Sequence, residues 1–242
     1  MAYGRGAVAA PREVETPADV LAEMDHCGIA EALVWHRDAF ERGFAAGNRR
    51  TAELASEARL HAVWTVVPPC CQEMPSTEGV LAAMREAGAR AVRCFPAQHC
   101  FLMNAVSCGD LFEAFIAHAV PLFVPLPQFP GQWQDVYALM RDFPRLTVVL
   151  TQTGCWGQDR YFRPLMKTYP GFHITMDRLE TAGQLKSLVD RVGPEQVLFG
   201  SGLPRNYPGA YVLSLTRADI AEDAREAIAR GNIERLLGGV LW

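Results

Sequence analysis

The chain alternates between short runs that are apolar at nearly every position and longer stretches in which apolar residues return every third or fourth position. The first pattern belongs to a strand covered on both faces, the second to a helix with one apolar stripe. The dense runs predict strands over Ile29–Trp35, Leu60–Val67, Ala89–Phe95, Leu122–Leu126, Leu146–Thr151, Phe172–Met176 and Val197–Gly200. The spaced stretches predict helices from the Thr16 N-cap to Gly28, then over Asn48–Arg59, Thr77–Ala87, Gly109–Ala119, Trp133–Phe143, Tyr161–Tyr169, Ala182–Val192 and Ile220–Arg230. After the last helix a short turn is expected from Gly231-Asn232 to Leu237. Punctuation agrees at several ends: Pro17 follows Thr16 at the first helical position, and Gly28, Gly88 and Gly193 stand where helices should stop.

Strand starts recur about every 25 to 30 residues, the length of one strand–helix unit repeated without interruption. Seven strands are visible, and the weakly patterned stretch Tyr3 to Ala10 is the candidate for an eighth. The expected fold class is therefore α/β, a (β/α)8 TIM-barrel-like fold with a degenerate or missing first strand. Residues 1–15 form a weakly structured lead-in and 16–242 one barrel domain. An open doubly wound sheet is the rival, but the glycine fingerprint that opens most nucleotide-binding sheets is missing.

Composition narrows the partners. A net charge of −4 and the lack of any basic run argue against nucleic acid. No apolar run approaches the roughly 18 residues needed to span a membrane. Seven cysteines, an odd number set mostly in apolar segments, fit reduced thiols and a cytoplasmic location. The expected partner is a small molecule. A hydrophobic fraction of 50% also permits a homo-oligomer.

Four segments carry a family resemblance. They are T-P-A-D-V-L-A-E-M-D-H-C-G-I at Thr16–Ile29, F-P-R-L-T-V-V-L at Phe143–Leu150, V-L-F-G-S-G-L-P at Val197–Pro204 and G-N-I-E-R-L-L-G at Gly231–Gly238. In this order and spacing the chain resembles the amidohydrolase superfamily, in its amidohydrolase-2-type branch of decarboxylases and lactonases. The resemblance implies a barrel whose strand ends hold a divalent metal through histidines and an aspartate. This chain departs from that set. It has no His-x-His pair, Pro125-Leu126-Pro127-Gln128 follows the fifth strand, and Thr151-Gln152 stands where a histidine is expected after the sixth. In the last strand, Gly202 takes the place of the aspartate in G-S-D-x-P. The opening segment is short for the family, so an upstream strand carrying His-x-His is a further alternative. The expectation is a barrel with neither metal nor cofactor.

Chemistry in a barrel sits at the carboxyl ends of the strands. His36 and Asp177 are the candidate catalytic residues, able to move protons, while Arg93, Gln128, Gln152, Ser201 and Arg205 are the candidate substrate-binding residues. Arg93 lies inside a strand, where a charge is costly unless it meets a ligand or an ion-pair partner such as Asp177. His36 could instead cap packing beside Trp35, and Asp177-Arg178 could be a loop salt bridge. Ser201 lacks the glycine two residues before it that a nucleophile elbow requires, because Phe199 is there. Cys70-Cys71 adjoin, and Cys94, His99, Cys100 and Cys108 lie close in sequence. No C-x-x-C spacing specifies zinc. Cys155 is a candidate reactive thiol, and Trp156, Tyr161 and Phe129 a candidate aromatic lining.

Two functions fit these residues. One is a metal-independent hydrolase, lactonase- or decarboxylase-like, acting on a small carboxylated or cyclic molecule. The other is a catalytically inactive barrel that serves as a ligand-binding or partner-binding subunit.

Overall fold

The computed structural model describes residues 1–7, 12–154 and 157–242, with backbone alone at 55 and 56. Eight parallel strands curl into one sheet in sequence order: β1 (Ala2–Tyr3), β2 (Ala32–His36), β3 (Leu60–Thr65), β4 (Ala91–Arg93), β5 (Leu122–Pro125), β6 (Val148–Thr151), β7 (Phe172–Thr175) and β8 (Val197–Leu198). Helices follow the strands on the outside, as a TIM-barrel-like α/β fold requires. Between the two ends of the sheet, the Ala2 N–H donates to the Leu203 carbonyl (3.1 Å).

The first strand is Ala2–Tyr3, earlier and shorter than the stretch expected to supply it. It pairs with β2 through Ala2–Trp35 and Tyr3–His36, while residues 8–10 of the expected stretch lie outside the described residues. β2 is also shorter than its apolar run, because its ladder with β3 begins only at Ala32–Leu60. Several helical segments differ from expectation. Asp38–Glu41 and Pro208–Thr216 are additional helices, and Asn232–Gly238 is a helix where a turn was expected. The latter forms because Asn232 donates its side-chain amide to the carbonyls of Pro194 (2.8 Å) and Val197 (2.9 Å), fixing the chain beneath β8.

Alternation along the strands sorts side chains into two cores. The outward faces and the helices share a large core that includes Phe112, Phe115, Leu139 and Phe162, all at most 1% exposed. The inward faces pack Val63, Ala91, Phe123, Val149 and Leu198 together. Residues one pleat further along the same faces are Trp35, Thr65, Arg93, Pro125, Thr151, Thr175 and Gly200. They therefore point inward at the carboxyl ends of their strands. The register alone brings an arginine and several threonines to the mouth.

Helix ends are locally encoded. At Pro17–Cys27 the Thr16 hydroxyl accepts from the Asp19 N–H (3.2 Å), and the Asp19 carboxylate accepts from the Thr16 N–H (2.8 Å), a complete capping box. Among the described residues, no helix is long and apolar enough to cross a membrane.

Candidate active site

A cavity of about 470 Å3 opens at the carboxyl ends of the strands. Its deeper wall is apolar, with Leu33, Val63, Phe123 and Leu198. Its mouth carries Arg93, Gln128, Gln152, Asp177, Ser201 and Arg205, so the inferred binding residues and one of the two inferred catalytic residues meet there.

Arg93 brings a positive charge to the mouth from within a strand. Its guanidinium carbon lies 5.0 Å from the ring centre of Trp35 and 5.2 Å from that of Phe95. Those two rings touch at 4.9 Å, and Phe40 braces Phe95 edge-on at 5.1 Å. The buried Nε has no hydrogen-bond partner, and among the described residues no carboxylate comes within ion-pair distance of the guanidinium. The salt bridge to Asp177 weighed as an alternative does not form. Burial depresses the Arg93 pKa to about 10, and the negative charge of Asp177 acts against that depression. A half-buried cation packed against two aromatic rings, with its buried Nε donor still free, is built to meet an anion that comes from outside the chain.

Asp177 lies just past β7 and is 4% exposed. The Thr175 hydroxyl donates to its Oδ1 in a short hydrogen bond. Gly200 makes the room: a Cβ there would lie 3.0 Å from that same oxygen and 2.9 Å from the Thr175 Cβ. Arg178 turns instead to Glu180 (3.4 Å), so Asp177 and Arg178 do not form a loop ion pair.

The remaining mouth residues are each fixed by a neighbour. Arg205 donates to Gln152 Oε1 (2.8 Å), and Gln152 sits at φ 57°, a left-handed conformation that long side chains seldom adopt. Such strain persists only where the surroundings enforce it, and it concentrates at binding sites. Gln128 Oε1 accepts from the Gln98 N–H (3.0 Å). Ser201 is 8% exposed, and its hydroxyl oxygen accepts from the Leu203 N–H (3.4 Å).

His36 is placed differently. Because Trp35 points inward, His36 points outward, against the edge of Tyr3 (4.8 Å between ring centres). Its Nδ1 accepts from the Asp38 N–H (3.0 Å), and burial depresses its pKa. It does not line the cavity. Phe129 is buried away from the mouth, and Tyr161 stacks on Trp133 at 5.4 Å. Cys155 and Trp156 lie outside the described residues. Sequence reasoning did not single out Thr175 or the Trp35–Phe95 clamp. The signal available was phase, since 35, 93 and 175 fall on the inward face of their strands.

The strand ends are a poor match to a divalent metal. They present Pro125 as the last residue of β5, Thr151 and Gln152 at the end of β6, and Gly200 and Gly202 beyond β8. Among the described residues, no three histidines, cysteines or acidic residues gather closely enough to hold an ion. The Arg93 guanidinium, without a carboxylate partner, sets a fixed positive charge in the same mouth.

Residues 5–239 match the family model for amidohydrolases (Amidohydro_2). The chain belongs to the amidohydrolase family. Many solved structures share its fold, three of them as follows. An uncharacterized TIM-barrel protein from Bordetella bronchiseptica is 20% identical over 93% of this chain and 83% of its own, with a TM-score of 0.72. A 5-carboxyvanillate decarboxylase from Sphingomonas paucimobilis is 19% identical over 94% and 84%, with a TM-score of 0.71. A dihydroxybenzoic acid decarboxylase from Polaromonas, solved with bound manganese, is 14% identical over 94% and 87%, with a TM-score of 0.73. At these identities the likeness is one of fold. No curated protein matches the chain.

Proposed function

We propose that this amidohydrolase-family barrel is a metal-independent hydrolase that acts on a small cyclic molecule bearing a carboxylate. The observation that carries the reading is Arg93, a half-buried guanidinium packed against Trp35 and Phe95, with a buried, unpartnered Nε and no protein anion. A ligand carboxylate would satisfy it bidentately, and charge-assisted hydrogen bonds of that kind are among the strongest a protein makes.

The same residue separates two chemistries. Decarboxylation disperses the carboxylate's charge as carbon dioxide leaves, so a guanidinium gripping that group stabilises the ground state more than the transition state. Hydrolysis of an ester bond elsewhere in the ring leaves the gripped carboxylate as a spectator, and its binding energy then orients the reacting bond. Arg93 therefore favours the lactonase-like reaction. Asp177 is the proton carrier. Thr175 occupies Oδ1, which leaves Oδ2 to take a proton from water as that water attacks the ring carbonyl. The ring C–O bond then breaks, and the same proton passes to the departing alkoxide. Gln152 and Arg205, joined at 2.8 Å, stand at the rim to meet a second polar group.

Gly202 favours the second reading, a barrel that binds without turnover. It leaves the exit from β8 without the aspartate that the family resemblance leads one to expect there. The test is turnover of a panel of carboxylated lactones by chelator-treated protein, beside Asp177→Asn. Hydrolysis by the wild type and its loss in the variant support the enzyme. Binding without hydrolysis supports the second reading, and turnover that returns only with an added divalent metal contradicts metal independence.

A further inference from the structure

Beyond β3 the chain runs P-P-C-C-Q, and none of these five residues lines the barrel cavity. Two successive prolines fix φ at 68 and 69, Pro69–Cys71 winds into a single 3-10 turn, and Gln72 leaves it at φ 59°. Both cysteine side chains are exposed, and their Sγ atoms lie 3.9 Å apart. The turn borders a shallow surface concavity whose wall includes Pro69, Gln72, Met74, Glu78 and Asp110.

Two thiols in contact can close a disulfide, act singly as a nucleophile, or chelate a third atom. A disulfide fits poorly: it needs Cα atoms about 4.4 Å or more apart, and adjacent residues hold theirs at about 3.8 Å. Single nucleophilic action is disfavoured for Cys71, because the hydrogen bond with Cys70, reinforced by its charge, raises the Cys71 pKa. Chelation matches the geometry. Bonds of about 2.3 Å put two sulfurs about 3.8 Å apart at a tetrahedral centre and about 3.5 Å apart at a pyramidal trivalent one, a span that a small rotation of these exposed side chains reaches from 3.9 Å. A zinc ion would want four donors, and among the described residues no third histidine, cysteine or acidic residue joins the pair. The pair suits a soft centre that needs only two protein sulfurs and brings its own third substituent.

We propose that Cys70 and Cys71 form a surface dithiol site that captures thiophilic trivalent metalloid centres of the arsenic(III) type. Capture is condensation without redox change. Two S–H bonds and the arsenic–oxygen bonding of an arsine oxide break, two As–S bonds form, and one water leaves with both protons. The site is independent of the barrel mouth and of the hydrolase reading.

Phenylarsine oxide tests it, read by intact mass on fully reduced protein. The wild type should gain one phenylarsenic group at a stoichiometric dose and lose it to excess 2,3-dimercaptopropanol. Cys70→Ser and Cys71→Ser should each lose the adduct, and Cys108→Ser, a buried thiol, should keep it. No adduct on the wild type, or an adduct that persists in both single variants, overturns the proposal.

Discussion

Replacing Arg93 by methionine should make the protein more stable while abolishing its response to carboxylates. Burial lowers the Arg93 pKa from 12.5 to about 10. At 1.36 kcal/mol per pKa unit, keeping the charged form folded costs about 3 kcal/mol. The contacts with Trp35 and Phe95 offset part of that, at about 0.5 to 1 kcal/mol for each ring. Methionine has a similar length and fills the space without a charge to desolvate. The net expectation is a gain of about 1 to 2 kcal/mol. Urea unfolding at pH 7 followed by tryptophan fluorescence and by circular dichroism would measure it, with coincident transitions as the check for two-state behaviour. A variant destabilised by more than about 1 kcal/mol would refute the reasoning. That result would mean that Arg93 has a stabilising partner in the folded chain and is not held in readiness for a ligand.

Other perturbations have similarly definite outcomes. His173, 2% exposed with its Nε2 unpartnered, has its pKa lowered by burial to about 4. The unfolded chain takes up that proton first, so stability is full above about pH 6.5 and falls by about 3 kcal/mol on going to pH 4. In His173→Leu, urea midpoints at pH 7 and pH 4 should lie closer together than in the wild type, and an unchanged gap would count against it. Gly202→Asp meets φ +65° and would place its Cβ 2.7 Å from Asn206 Nδ2. It should cost about 1 to 3 kcal/mol, seen as a lower melting temperature, and an unaltered melt would show that the loop yields. Gly200→Ala crowds the Asp177 carboxylate at 3.0 Å. It should reduce kcat on any substrate found while leaving KM nearly unchanged, and equal kcat values would separate Gly200 from the chemistry.

How much of this the residues announce in advance depends on how local each feature is. The strands of Val, Leu and Phe are encoded by their own composition, and the seven dense runs all become strands. Their limits are set by partners, which is why Ile29–Glu31 stays outside β2 although it continues the run. The helix Pro208–Thr216 is apolar on several sides, so no single stripe marks it. Asn232–Gly238 depends on two hydrogen bonds to the carbonyls of Pro194, before β8, and Val197, within it, and those exist only once the barrel is assembled. Arg93 stands out early because a charge inside an apolar strand demands an explanation. Its aromatic clamp needs the register of β2 against β3 and β4, which no single strand reveals. The outward turn of His36 follows from alternation alone once Trp35 is known to face inward. The left-handed backbone of Gln152 has no marker in the residue itself, since glutamine has no special preference for it.

Isothermal titration of small cyclic carboxylic acids into chelator-treated protein, wild type beside Arg93→Met, probes the role of Arg93 most directly. The prediction is saturable binding of at least one acid by the metal-free wild type, lost or weakened at least about 10-fold, roughly 1.4 kcal/mol, in the variant. Equal affinity in both proteins, or binding by the wild type only after a divalent metal is restored, would contradict a site built on the Arg93 guanidinium.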